Sequence, residues 1–258
     1  MTANIKEWAL LLEYDGTGLA GWQSQDGPPT LQDLLETAAA RLNGNEPVRS
    51  TVAGRTDAGV HATGQVAMLS LPDRYLSEQV REALNFHLRP HPLVVVQAAP
   101  APPGWNPRFS AIGRGYTYRI LNRRARPALD SHRVWHVPKR LDEAAMVEAA
   151  QALLGQHDFT SFRAAACQAK SPIRTLDRLD VIRDGDGITV HAGARSFLHH
   201  QVRNMVGTLK LVGEGKWPAA RMAQALAARN RAAAGPTAPP DGLTLVRVDY
   251  SDDPFNRN

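Results

Sequence analysis

Along this chain, apolar positions recur in two rhythms that mark out the same order of elements twice. Residues 8–14, WALLLEY, form a mostly apolar run closed by Asp15 and Gly16, which predicts a strand. Leu31, Leu34, Leu35, Ala38 and Leu42 then recur at three- and four-residue spacing, which predicts a helix over 31–42. Strands are expected at 48–53 and 65–71, a helix at 77–88, and a valine-rich strand at 93–97. The order is βαββαβ. Residues 98–107, AAPAPPGWNP, are too rich in proline to continue either element type and read as a linker. Beyond it the order begins again with a strand at 115–121, GYTYRIL, and a helix N-capped by Asp142 that runs to Leu154 and stops at Gly155. Strands at 175–182 and 188–191 flank the hairpin turn RDGDG (183–187). A helix from Ser196 to about Val212, a second one opened by Pro218, and a strand over 243–250 give βαββααβ.

The repetition is one of element order, without obvious identity of residues. Two ferredoxin-like, RRM-like halves of this kind, expected at 1–104 and 105–258, make an α+β protein with two sheets and a central cleft. RNA-recognition modules share this strand order, which is an analogy of fold alone.

Charge adds a direction. Thirty Lys and Arg against twenty-five Asp and Glu leave a net +5, and the excess is uneven. Six arginines and no acid lie between Arg108 and Arg126, and from Ile188 to Gly213 the only charges are Arg195, Arg203 and Lys210, with three histidines. Clustered positive charge fits a polyanionic partner, with a solvated surface as the alternative. The lone Cys167 excludes an intramolecular disulfide and suits a reducing cytosol; its neighbours, AAACQAK, offer no base, so a packed thiol is expected. The N-terminal apolar run is broken by Glu13 and Asp15, too short for a signal sequence or a membrane span, so a cytoplasmic protein is expected.

The stretch AGRTDAGVHATGQ, residues 53–65, has neither helical nor strand periodicity and holds opposite charges two residues apart. In extended backbone, Arg55 and Asp57 address the same side. A loop carboxylate can be a metal ligand, a general base, a nucleophile or a turn-former. The metal reading needs partners from His61, His199 and His200. Neither of the adjacent histidines has a ligand three or four residues on, and Arg203 stands four after His199. In the helix expected from Ser196, Val202, Met205, Val206 and Leu209 form the apolar stripe. His199, Arg203, Gly207 and Lys210 share another face, where Gly207 would admit a ligand or a second backbone. A solvent-facing basic helix is the alternative. Tyr116 and Tyr118 fall on one face of their strand, near Arg114, and serve either as sheet core or as a stacking platform for bases.

The stretch AGRTDAGVHATGQVA resembles the signature of tRNA pseudouridine synthases of the TruA type. The likeness continues in EYDGTGLAGWQSQ (13–25), RFSAIGRGYTYRI (108–120), GQHDFTSFRA (155–164), FLHHQVRNMVG (197–207) and TAPPDGLTLVRVDY (237–250), in the family's order and spacing. NFHLRP (85–90) and WNPRFSA (105–111) depart from the usual forms, which bears on local RNA contacts and not on the chemistry. The resemblance implies the pseudouridine synthase fold and isomerisation of uridine at positions 38 to 40 of the tRNA anticodon stem-loop. It implies a homodimer and no metal or organic cofactor. It makes Asp57 the essential carboxylate, Tyr116 the active-site aromatic and Arg203 the basic partner of the aspartate. Arg55 takes the place of the flipped base, and Arg114, His61 and Gln65 are expected among the RNA-binding residues. A non-catalytic RNA-binding protein of the same fold is the alternative; such a protein would have little reason to keep Asp57, Tyr116 and Arg203 together. A carboxylate-dependent hydrolase lacks the second acid or metal shell it would need.

Overall fold

The structure, a computed structural model, describes residues 4–256, so the first three residues of the N-terminal stretch considered above lie outside it. The elements in chain order are β1 (Ile5–Tyr14), α1 (Leu31–Leu42), β2 (Ser50–Val52), β3 (His61–Pro72), α2 (Ser77–Leu88) and β4 (Leu93–Pro100). They continue with β5 (Ala111–Leu121), β6 (Trp135–His136), α3 (Glu143–Gln151), β7 (Gly155–Asp158), β8 (Ile173–Asp184) and β9 (Gly187–Ala194). The last are α4 (Gln201–Gly213), α5 (Arg221–Ala227) and β10 (Leu243–Tyr250). The α+β class and the first run of element order stand; the second run gains two short strands, β6 and β7. No helix among the described residues is long and apolar enough to cross a membrane.

Two compact units form. The first comprises residues up to Ile112 together with those from Leu245 onward; the second is Gly113–Thr244. The first unit therefore runs past residue 104 and takes in the last strand. In it the strands lie in the order β4-β1-β3-β10, with β2 also on β3. β1 is antiparallel to both neighbours, and its Trp8 to Leu12 are all buried, as expected of a strand covered on both faces. α1 and α2 bury Leu31, Leu35 and Leu42, and Val80, Leu84 and Leu88, respectively. The reason β10 belongs here is visible at Gly64, where any Cβ would stand 2.2 Å from the Val246 carbonyl oxygen. Tyr250 adds a hydrogen bond from its hydroxyl to the Pro107 carbonyl (2.7 Å) and a ring contact with Trp105 at 4.9 Å.

In the second unit the strands lie in the order β5-β9-β8-β7, with β6 parallel to the end of β5. The RDGDG hairpin closes on Gly185 and Asp186, with Gly185 at φ 54, the left-handed region that glycine enters without a Cβ penalty. Asp142 caps α3 through its side chain, accepting from the Ala145 N–H at 3.1 Å. Three expectations change. β4 runs on through Ala98–Pro100, into the stretch read as linker, because Trp8 to Leu10 of β1 pair with it there. β7, four polar or small residues, forms by pairing with β8 and has no apolar signal of its own. The helix expected from Ser196 starts instead at Gln201. His200 sits at φ 62 before it, and the Gln201 side-chain oxygen accepts from the Leu198 N–H at 2.8 Å. His199 is therefore not on the helix and does not share a face with Arg203.

Candidate active site

Residues 53–60 connect β2 to β3. The chain is extended enough here that side chains alternate: Arg55 is exposed, Thr56 buried and Asp57 half-buried. The inward residue is what fixes the other two. The Thr56 hydroxyl lies 2.8 Å from the Tyr14 hydroxyl, and the Gln65 amide donates to Tyr14 at 3.2 Å and to the Gly54 carbonyl at 2.7 Å. Tyr14 is pushed up to about 12 by burial, against the opposing effect of its bonds with Thr56 and Gln65, so it stays a neutral strut at any physiological pH. Gln65, expected at the RNA, is fully buried and holds the loop's backbone.

The segment after β1 closes on the other side of the loop. A Cβ at Gly16 would stand 2.2 Å from the Val60 carbonyl oxygen; one at Gly21, which has φ +89, would stand 2.7 Å from that of Thr56. The Trp22 N–H donates to the same Thr56 carbonyl at 3.0 Å. Gly59, at φ +77, makes the turn in which the Val60 N–H meets the Asp57 carbonyl at 3.2 Å. His61 is buried as well, its Nδ1 3.1 Å from the Gly16 N–H and 3.0 Å from Asp15 Oδ1. The tautomer decides which of the two it engages. These contacts, like those of Gln65, are to the frame around Asp57.

In the second unit the two tyrosines of β5 separate. Tyr118 is fully buried and donates to the Pro239 carbonyl at 2.8 Å; burial drives its pKa far up, only partly offset by the positive charge of Arg203. Tyr116 is half-buried, its ring perpendicular to that of Phe197 at 5.2 Å. Arg114 is buried and donates to the Arg195 carbonyl at 2.5 Å, which ties β5 to the end of β9. Its charge is thus withdrawn from the surface where the arginine run suggested it.

α4 is buried nearly all round, so it is not a solvent-facing basic helix. Arg203 is half-buried on it. Its Nε donates to the Ala238 carbonyl at 2.8 Å, and the Ala238 N–H donates back to the Arg203 carbonyl at 3.1 Å. The segment 235–239 is held by residues that no local pattern announced. Arg231 donates to the Gly235 carbonyl (2.8 Å), to Asn204 (3.1 Å) and to Thr237 (3.1 Å), and the buried Asn204 donates to the Phe162 carbonyl at 2.7 Å. Gly207 meets a second backbone and no ligand: a Cβ there would fall 1.7 Å from the Pro236 carbonyl oxygen. Lys210 turns to Glu214, at 2.6 Å.

Gly207→Ala is accordingly expected to force the 235–239 segment off α4. Overpacking of this kind costs about 1–3 kcal/mol, and thermal unfolding should register it as a drop of several degrees. Because Ala238 holds Arg203, turnover should fall more than stability alone explains. A variant with unchanged melting and turnover would show that the segment yields freely.

A family model described as tRNA pseudouridine synthase matches residues 11–110 and 149–251. The chain belongs to the tRNA pseudouridine synthase family. It is 67% identical over 255 residues to tRNA pseudouridine synthase A of Acidiphilium cryptum, covering 98% of this chain and 100% of that one. To the protein of the same name in Gluconobacter oxydans it is 54% identical, covering 98% and 93%. To that of Afipia carboxidovorans it is 59% identical, covering 95% and 100%. As a member of the tRNA pseudouridine synthase family the protein is an isomerase. Asp57 and Arg203 fall inside the matched stretches, and Tyr116 falls between them.

Proposed function

We propose that this protein converts uridine to pseudouridine at positions 38 to 40 of the tRNA anticodon stem-loop, acting in the cytoplasm as a homodimer without metal or organic cofactor. The observation that carries the reading is the alternation at 55–57, an exposed guanidinium and a half-buried carboxylate on one side of a loop anchored from the other.

The reaction breaks the C1′–N1 bond, turns the uracil, joins C1′ to C5 and releases the C5 proton. A stacked uridine must first leave the helix, at a cost of a few kcal/mol. Arg55, long, planar and exposed, fills the gap and meets phosphate, which lysine would do less well. Asp57 acts on the extruded nucleotide. A carboxylate can add to C6 of the uracil, attack C1′, or take the 2′ proton to give a glycal; every route needs the anion. Arg203 supplies the compensating charge for it. Tyr116, accessible where Tyr118 is not, stacks on the uracil and helps remove the C5 proton in the last step.

The test uses tRNA tritiated at uridine C5. The enzyme is expected to release tritium to water in the presence of a chelator, and to stop when cytidine replaces the uridines at 38 to 40. Binding without release would leave a non-catalytic RNA-binding protein; release insensitive to that replacement would remove the assigned site.

A further inference from the structure

We infer that the loop joining β5 to α3, residues 122–141, together with Arg119 at its root, is a second RNA-contact surface that grips phosphates of the tRNA beyond the anticodon stem-loop; this rests on the tRNA reading above. From Arg119 to Arg140 stand seven Arg or Lys side chains and one acid, Asp130, a net of +6 where the whole chain nets +5. The rest of the protein therefore nets one negative charge, and its basic character resides in this segment. All seven basic side chains are exposed. Two ion pairs there, Arg119 with Asp130 at 3.1 Å and Arg123 with Asp186 at 3.7 Å, are between exposed groups, and such pairs exchange readily for phosphate.

The loop is also built to hold its shape. Asn122, almost fully buried at its root, donates to the carbonyls of Val137 (2.9 Å) and Lys139 (2.7 Å) and accepts from the Leu141 N–H at 3.0 Å. Arg183 closes the clasp, donating to Asn122 at 3.0 Å and to the Leu141 carbonyl at 2.8 Å. Within it, β6 pairs with Ile120 and Leu121, and His136 Nε2 lies 2.8 Å from the Arg123 carbonyl oxygen. Clasped at its root and paired along β6, the loop presents its charges at little ordering cost on binding.

Position separates this surface from the uridine pocket. Leu121 lies five residue steps along β5 from Tyr116, a rise of roughly 17 Å at the strand spacing. A nucleotide at Tyr116 does not reach the loop, but a stem continuing from it does. The charge argues against a second copy of the chain as the occupant. Interface centres are depleted of charged residues, and a two-fold contact through this loop would set like charges against each other.

The test is the triple variant Arg123→Ala/Arg124→Ala/Arg126→Ala, whose fold is checked by circular dichroism, assayed on full-length tRNA and on the isolated anticodon stem-loop. On full-length tRNA, KM should rise by at least about tenfold at moderate salt. The slope of log affinity against log salt should shrink by roughly 2–3. Turnover at saturation and all kinetics on the stem-loop should stay at wild-type values, and the triple lysine variant should restore the slope. An unchanged slope, equal losses on both substrates, or a changed sedimentation coefficient would each overturn the assignment. A wild type that neither binds nor modifies tRNA would bring down the tRNA reading itself; a normal wild type beside an unaltered triple variant overturns only the loop.

Discussion

Asp57→Asn should leave the protein folded and reduce tritium release by at least roughly 10²–10⁴-fold, the scale lost when a group acting directly in the transition state is removed. Asparagine keeps the shape of the side chain and removes only its charge and basicity. The loop's course depends on groups this substitution does not touch: Thr56 against Tyr14, Gln65 on the Gly54 carbonyl, and the close approaches of Gly16 and Gly21. Melting should therefore shift by no more than a few degrees, and tRNA binding should stay within several-fold of wild type. The split between binding and turnover is what marks a chemical role. Release by the variant at the wild-type rate would end the assignment of Asp57 as the acting carboxylate, and a large loss of binding with little further loss of turnover would recast it as a contact residue.

What could be read from the sequence follows from how far each signal reaches along the chain. α1 and β1 declare themselves within a dozen residues, since one face of a helix or both faces of a covered strand must be apolar. The start of β3 at His61 was hidden because Thr63 is exposed and Gly64 is kept small by the backbone at Val246, far along the chain. α4 looked four or five residues too long because Phe197 and Leu198 continue an apolar spacing that the left-handed turn at His200 breaks. That turn has no periodic signature, although histidine enters the left-handed region more readily than most side chains.

The site divides in the same way. Arg55 and Asp57 on one side of an extended segment follow from a period of two, and so, in hindsight, does the inward Thr56 between them. Tyr14, which holds Thr56, lies 42 residues from it, and Gln65, which donates to Tyr14, lies 51 residues from that partner, beyond any local pattern. Arg114 read as part of an exposed basic run, yet a carbonyl 81 residues on takes its guanidinium inward. The run's surface charge lies instead at Arg108 and, from Arg119 onward, in the loop that Asn122 clasps and at its root.

Arg203→Ala should be the second severe loss, and its pattern tests the pairing with Asp57. If Arg203 is the counter-charge, its removal strands a carboxylate, at about 3–5 kcal/mol by the measure of broken buried pairs, or roughly 10²–10⁴-fold in turnover. The substitution also removes the hydrogen bond from Nε to the Ala238 carbonyl, so some loss would follow from a displaced 235–239 segment alone. Three comparisons separate the two causes. Arg203→Lys keeps the charge and loses the Nε bond, and should recover much of the turnover if charge is what matters. Guanidinium ion added to Arg203→Ala should restore part of the rate, which a misplaced backbone segment would not permit. In the double variant Asp57→Asn/Arg203→Ala, the arginine substitution should cost little once the carboxylate is gone, because groups that act as a unit lose their effect together. Fully additive losses in that cycle, with no rescue by guanidinium, would mean that Arg203 serves the fold of its own unit and that the charge opposing Asp57 comes from elsewhere.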